Sequence, residues 1–242
     1  MRCIVTTPQG NYLQNHHFHC KSLKIDALLK PRPLCAHMLW SADPGIQYGF
    51  PNFPLFGQAL DTPIGFDLMA ADWVGPYGKG SVADFIFTVS QSVPFTSRQS
   101  PFDVTMTISF SNKGDGIQSI RVPLNKGSDL RLPRYAPETG YEATLVKEAK
   151  RPAEGQPIDS GLRDDQNYFF RVRTVMDENG KIKSALYGKL IGDVTVDVFH
   201  SKTALIQFSY CLNPNPNDRN MEFDTKKNLF GRLSPLVQVR TP

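Results

Sequence analysis

Glycine and proline recur along the whole chain and divide it into short runs. The 242 residues include 18 Gly and 19 Pro, and the runs between them are rich in Val, Ile, Thr, Phe and Tyr. Those residue types suit a pleated, half-buried strand, whereas a helix needs a longer uninterrupted stretch. The pattern predicts a mainly β protein, an antiparallel β-sandwich or jelly-roll-like fold with long Gly/Pro-rich loops and little helix. The best helix candidate is residues 22–30.

Two runs show the strand pattern most clearly. Residues 103–110 read DVTMTISF, with an apolar residue at every second position. A period of two places Val104, Met106, Ile108 and Phe110 on one face and the hydroxyl side chains on the other. We expect the first face to lie in the core and the second in water. Residues 82–89 read VADFIFTV, which is apolar on both faces and predicts a central strand.

A hairpin is predicted around Asn179-Gly180, because this pair supplies the positive φ values of a type I′ turn. The flanking runs, 168–175 and 181–190, then become antiparallel partners. One face of the first run is expected to carry Phe169, Arg171, Arg173 and Val175, and the other Phe170, Val172 and Thr174. Two later runs, 194–200 and 204–212, extend this hairpin to a four-stranded antiparallel meander.

Residues 148–167 differ in composition from the regions before and after them. They contain few apolar residues and many Pro, Gly, Asp and Ser, which predicts an exposed loop or a linker. A β-rich region with aromatic loops, residues 1–147, precedes it, and the meander region, residues 168–242, follows. The chain is long enough for one large β domain or two smaller ones, and the sequence leaves both arrangements open.

The last third of the chain contains the segments YFFRVRTVMDENGKIKSALYGK, CLNPNPNDRNMEFDTKKNLF and LVQVRTP. Together these segments resemble the C-terminal region of uncharacterised bacterial proteins, and the string NPNPNDRN is the most distinctive part. The resemblance implies a bacterial source. It brings no activity and no functional residue with it.

Charge and hydrophobicity restrict the partners of the chain. The 27 basic residues are offset by 23 acidic ones without any long basic run, which argues against nucleic acid as a partner. No window approaches 18 apolar residues, so we expect no membrane span. The N-terminus lacks an apolar signal-peptide core. We therefore expect a cytoplasmic protein, or an extracellular or cell-envelope protein if a leader is missing.

Three of the five histidines lie in the stretch NHHFHC, residues 15–20. His17 and His19 are two residues apart, so on a strand both would project from one face. Cys35 and His37 form a second pair with the same spacing, and the two pairs together would offer the nitrogen and sulfur ligands that zinc prefers. The alternative is a solvated strand face. The four cysteines permit two disulfides, whose pairing stays open: Cys3, Cys20, Cys35 and Cys211.

Aromatic residues cluster between positions 40 and 77, interleaved with Gly and Pro. Rings held on loops can pack against the C–H groups of a sugar, and nearby carboxylates can accept hydrogen bonds from its hydroxyls. The candidate ligand-binding residues are Trp40, Tyr48, Trp73, Tyr77, Asp43 and Asp72. The alternative is that most of these rings fill a core beneath long loops.

A third candidate site is NPNPNDRNMEFD, residues 213–224. Calcium takes six to eight oxygen ligands, and the side chains that would supply them belong to Asn213, Asn215, Asn217, Asp218, Asn220, Glu222 and Asp224. The spacing differs from that of the common calcium loop, and Asn and Asp also close turns through their own side chains. A structural loop, tied to a carboxylate by Arg219, is the favoured interpretation.

No familiar enzyme signature is present, since the sequence lacks GxSxG, Walker A, GxGxxG and HExxH motifs. The leading hypothesis is therefore a non-enzymatic binding or structural module of bacterial origin, with a carbohydrate as the preferred ligand and no obligatory cofactor. One alternative is a metal-binding protein or metal-dependent enzyme that uses the N-terminal His/Cys cluster. Another is a self-assembling surface or filament subunit whose loops and β-edges contact other copies.

Overall fold

The computed structural model describes residues 34–41, 60–122, 132–200, 203–222 and 229–230, with the backbone alone for 34–41, 197–200 and 203–205. The helix candidate at 22–30 and the stretch NHHFHC lie outside these residues. The strands are β1 (Leu34–Ser41), β2 (Ile64–Asp67), β3 (Asp72–Trp73), β4 (Phe85–Val93), β5 (Phe102–Ser109), β6 (Gly116–Arg121), β7 (Thr144–Arg151), β8 (Gln166–Met176), β9 (Ile182–Leu190), β10 (Thr195–His200) and β11 (Thr203–Asn213).

The strands form two antiparallel sheets. In the first sheet the order is β1-β11-β9-β8-β6, and β10 also pairs with β11. In the second sheet the order is β3-β2-β4-β5-β7. Most buried apolar residues of both sheets form one continuous core, and a smaller cluster that includes Phe169 and Tyr187 is separate from it. The prediction of a mainly β, antiparallel sandwich is confirmed, and no helix occurs among the residues that the structure describes.

Alternation within each strand builds the core between the sheets. In β5, Val104, Met106 and Ile108 are fully buried while the residues between them are half-buried, as a period of two predicts. Aromatic rings from both sheets meet in the centre. For example, Phe87 of β4 stacks on Phe208 of β11 with ring centroids 5.3 Å apart. Ring contacts of this kind add stability beyond the apolar area that they bury.

β8 and β9 pair as the predicted hairpin, but the turn between them is of another type. Gly180 has a φ of 74°, whereas Asn179 is absent from the residues with positive φ. The N–H of Gly180 donates to the carbonyl oxygen of Asp177 at 3.0 Å. This arrangement is a type I turn followed by a left-handed glycine, so the prediction of a type I′ turn is wrong. The three-residue loop needs a positive φ only at its last position.

Arg173 interrupts the regular alternation of β8. Its φ of 54° is left-handed, and the register with β9 shifts at the same place. This bulge turns the guanidinium toward the second sheet, where it contacts Asp67 and Asp84. The prediction that Arg173 shares a face with Phe169 is therefore wrong, because a bulge breaks the period of two.

The connection between the two predicted regions is shorter than the sequence indicated. β7 runs to Arg151, which is buried together with Ala149, so the connection to β8 spans residues 152–165. Strands from both sides of this connection join in one sheet, since β6 pairs with β8 and β1 pairs with β11. β9 and β10 both pair with β11, so the last four strands depart from a simple meander.

Cys211 of β11 is buried and disulfide-bonded, and its Cα partner in the β1–β11 ladder is Cys35. Opposed residues of an antiparallel pair have Cα atoms about 4.5–5.5 Å apart, which a disulfide can span. We therefore expect non-reducing peptide mapping by mass spectrometry to recover a linked Cys35–Cys211 peptide that reduction separates. Recovery of Cys211 linked to Cys3 or Cys20 instead would contradict this expectation.

Candidate functional site

The four aromatic residues predicted to bind a ligand lie in different settings. Trp73 is 1% exposed and packs edge-on against Phe66 with ring centroids 4.9 Å apart. Tyr77 is partly buried against the same core. Trp40 lies in β1, and Tyr48 lies outside the described residues. Trp73 therefore belongs to the core and offers no ring face to a ligand.

Of the two acidic residues predicted to lie beside these rings, the structure describes one, Asp72. Asp72 accepts hydrogen bonds from the backbone N–H groups of Trp73 and Lys79, both at 2.8 Å. Its carboxylate therefore fixes the turn that follows β3. Asp43 lies outside the described residues.

Of the four predicted zinc ligands, two lie in a described strand and two do not. His17 and His19 lie outside the described residues, while Cys35 and His37 lie two positions apart in β1. Across the described ranges there is no group of three or more His, Cys, Asp or Glu residues placed to hold a metal ion. Zinc binding stays a prediction.

The Asn-rich segment that follows β11 is a loop held by its own side chains. Asn213 donates from Nδ2 to the carbonyl oxygens of Asp218 and Asn220 at 3.0 and 3.1 Å. Arg219 donates to the carboxylate of Glu138 at 2.6 Å, which confirms the predicted tie to a carboxylate. The polar groups of these residues close the loop, as Asn and Asp side chains commonly do. Calcium binding by residues 213–224 stays a prediction.

A network of charges that the sequence did not predict joins the two sheets. Arg173 donates from Nε and Nη2 to the two carboxylate oxygens of Asp84 at 2.8 and 2.9 Å, and from Nη2 to Asp67 at 2.7 Å. Both carboxylates are buried, and the Arg173 side chain is 28% exposed. Asp115 completes the network by accepting the backbone N–H groups of Arg173 and Thr174.

The ionisation of this network follows from burial and hydrogen bonding. Burial opposes ionisation of Asp67, but backbone N–H donors, that of Ser81 first, and the charge of Arg173 together hold its pKa below the usual value. Burial raises the pKa of Asp84 despite the hydrogen bonds from Arg173. Every carboxylate oxygen of the pair accepts hydrogen bonds from the protein. We therefore interpret Arg173, Asp67, Asp84 and Asp115 as a structural link between the two sheets, which we call the clamp.

The outer face of the second sheet carries an ordered set of hydroxyl groups. Thr88 and Ser90 of β4 lie opposite Thr107 and Thr105 of β5, and we call these four residues the hydroxyl face. All four are half-buried, and within the described part of the chain no hydrogen bond engages their hydroxyls. Neighbouring strands lie about 4.8 Å apart and alternate residues about 6.6–6.8 Å apart, so the hydroxyl groups approximate a rectangular grid.

A groove borders the hydroxyl face along the edge strand β7. We call it the edge groove; its volume is about 370 Å³, and it is lined by Val146, Lys147, Glu148, Lys150, Asp159 and Gly161. Val146 and Glu148 are the Cα partners of Thr107 and Thr105. The hydroxyl face and the edge groove therefore form one continuous surface.

Lys147 is held in the wall of the edge groove by partly buried hydrogen bonds. Its Nζ donates to the carboxylate of Asp193 at 2.8 Å, and the hydroxyl of Tyr168 donates to the same carboxylate at 2.6 Å. Burial and the adjacent Asp193 raise the pKa of Tyr168, so its hydroxyl keeps its proton. These contacts fix the wall of the groove, while Glu148 and Lys150 are exposed.

No family model, curated protein or solved structure matches this chain. The described residues include no helix that is long and apolar enough to cross a membrane. Since a fold alone does not determine function, the chemistry of the hydroxyl face and the edge groove is the basis for a functional inference.

Proposed function

We propose that this chain is a non-enzymatic bacterial binding module and that its ligand is a carbohydrate polymer lying on the hydroxyl face. The observation that carries the proposal is the grid of four hydroxyls, aligned in register on a sheet and unbonded to other described residues. Each hydroxyl can donate one hydrogen bond and accept two. The grid can therefore exchange hydrogen bonds with sugar hydroxyls whichever way those point.

Charged side chains at the border of the grid support the same ligand class. Glu148 lies beside Thr105, and Lys150 lies beside Asp103, in the register of β5 and β7. Hydrogen bonds between an ionised group and a neutral hydroxyl are stronger than those between two neutral groups. A polymer that extends beyond the hydroxyl face would meet these charges at the edge groove.

The proposal includes no catalysis, and within the described part of the chain the polar residues of the groove wall fit a binding role. A general acid or base must reach the reacting atoms of its substrate with a suitable pKa. Lys147 and Tyr168 instead bind Asp193, and the raised pKa of Tyr168 keeps its proton in place. Lys147, Tyr168 and Asp193 therefore have a structural role in the wall of the groove.

Replacing Thr105 and Thr107 together by valine is expected to weaken polysaccharide binding. Valine keeps the branched shape that suits a strand but removes both hydroxyls. Loss of two hydrogen bonds of about 0.5–1.5 kcal/mol each predicts a decrease in affinity of about tenfold. Sedimentation with insoluble cellulose, chitin, xylan and peptidoglycan measures the effect, and the melting temperature shows whether the fold is intact.

Thr96→Val is the matched control, because Thr96 is exposed in the loop between β4 and β5, outside the grid. This variant should bind as the original protein does. Equal binding by the double variant, or no binding of any of the four polymers by the original protein, would contradict the proposal.

A further inference from the structure

We propose that the open edge of β7 in the edge groove binds an extended peptide strand from a partner protein. This inference goes beyond the proposed carbohydrate binding, because it concerns another ligand class and the edge of the second sheet. Among the described strands β7 is the last of that sheet, and one side of it pairs with β5 along its whole length. An unpaired strand edge is a template for the addition of another strand.

The direction of the backbone groups in β7 follows from one local pair. The N–H of Lys150 donates to the carbonyl of Asp159, and the N–H of Asp159 donates back to the carbonyl of Lys150, both at 2.8 Å. The backbone groups of Lys150 therefore point away from β5. In an antiparallel ladder alternate residues point the same way, so those of Glu148, Val146 and Thr144 also point to the open edge.

The Lys150–Asp159 pair shows that this edge already forms one antiparallel bridge with a residue outside the named strands. Past Asp159 the chain leaves the edge near Gly161, where an added Cβ would lie 3.3 Å from the carbonyl oxygen of Glu148. Among the described residues nothing else pairs with the outward edge between Thr144 and Glu148. The edge groove lies along this same stretch, where Val146, Lys147 and Glu148 line it.

Exposed apolar side chains indicate the chemistry of the peptide. Val146 lines the groove and is 51% exposed. Ile158 and Leu162, adjacent in sequence to the lining residues Asp159 and Gly161, are 47% and 46% exposed. Directly opposed side chains on paired strands stabilise each other when both are apolar or β-branched. We therefore expect the peptide to place an apolar residue opposite Val146.

The short length of the open edge favours a peptide over a second folded copy. At one end Glu142 pairs with Ile117, and at the other end Lys150 pairs with Asp159. The open stretch between these pairs is residues 144–148, about 17 Å long at about 3.3–3.4 Å per residue. In a second copy, the segments that flank β7 would collide with the same segments of the first copy. An extended peptide has no such flanking segments.

Selection from a phage-displayed library of random dodecapeptides, with the full chain as bait, tests the proposal. We expect enriched peptides with alternating apolar residues, and we expect Val146→Pro to weaken their binding about tenfold or more. Proline removes the outward N–H but leaves the hydrogen bonds to β5 untouched. Val146→Thr keeps both the N–H and the branched shape, so it should retain binding.

A second measurement does not depend on the folding of any variant. In the NMR spectrum of the original protein, an enriched synthetic peptide should shift the backbone amide resonances of Val146 and Glu148. Thr105→Val with Thr107→Val should leave peptide binding unchanged, which separates this inference from the carbohydrate proposal. Failure to enrich any peptide, or shifts confined to other strands, would overturn it.

Discussion

Replacing Arg173 by methionine is expected to lower the free energy of unfolding by about 3–5 kcal/mol, the usual range for breaking a buried ion pair. Methionine has an apolar side chain of comparable length but cannot donate to Asp67 and Asp84. Both carboxylates are nearly inaccessible to solvent, at 3% and 1% exposed, so they would stay buried without their cation. Denaturant unfolding followed by circular dichroism measures the loss.

The pH dependence of this variant identifies the cause of the loss. Without Arg173 the folded-state pKa of Asp84, which burial already raises, should rise further, and that of Asp67 should rise from its lowered value. The energetic penalty is then present at neutral pH and decreases as falling pH protonates the two carboxylates. In the original protein, Asp67 has a lowered pKa, so its stabilising contribution is lost over the acid range. The stability difference between the two proteins should therefore shrink on acidification.

Arg163→Met is the matched control for the Arg173 variant. Arg163 also pairs with an aspartate, Asp165 at 3.2 Å, but its side chain is 47% exposed. Ion pairs at such exposed positions contribute about 0–1 kcal/mol, so this variant should remain close to the original stability. Similar losses for both variants, or a loss at Arg173 that does not depend on pH, would contradict the interpretation of a buried clamp.

Replacing Trp73 by alanine is expected to destabilise the fold by about 3–5 kcal/mol, as large-to-small substitutions of buried aromatic residues do. Trp73 is 1% exposed and meets Phe66 and Phe87 edge-on at 4.9 and 5.6 Å. Alanine would leave a cavity between the sheets that these rings cannot refill. For a chain of this size, a loss of that extent lowers the melting temperature by about 6–20 °C.

Tyr135→Ala is the control for Trp73→Ala, because Tyr135 is an aromatic residue that is 53% exposed. Substitutions at exposed positions usually change stability by about 0.5 kcal/mol or less. If Trp73→Ala left the melting temperature unchanged while it abolished polysaccharide binding, the ring would serve a ligand, and the assignment of Trp73 to the core would be wrong.

The parts of the fold that could be predicted from the sequence are those set by local patterns. In β5 the alternation of apolar and hydroxyl residues is sufficient to assign both faces, and the burial of Val104, Met106 and Ile108 agrees with it. The same holds for the β8–β9 hairpin, where a turn sequence lies between two strand-like runs. Such features depend on neighbouring residues alone.

The clamp and the surface could not be predicted because they depend on contacts between distant residues. Arg173 contacts Asp84 and Asp67, which lie 89 and 106 positions away in the chain. The bulge that directs Arg173 toward them has no signature in the sequence. The alternation in β5 identified a wet face, but only the strand order places Thr105 beside Ser90 and Glu148. The environment of Trp73 could not be predicted for the same reason, since an aromatic residue among glycines and prolines can face either water or the core.

The most direct test of carbohydrate binding uses the threonine methyl groups as reporters. Thr88, Thr105 and Thr107 belong to the hydroxyl face, whereas Thr96 lies in a loop and Thr174 is buried. In a methyl-labelled NMR spectrum titrated with soluble oligosaccharides of the four polymers, the proposal predicts that the resonances of the first three shift with increasing ligand while those of Thr96 and Thr174 stay in place. A spectrum that no oligosaccharide changes, or shifts that spare the hydroxyl face, would contradict the proposal.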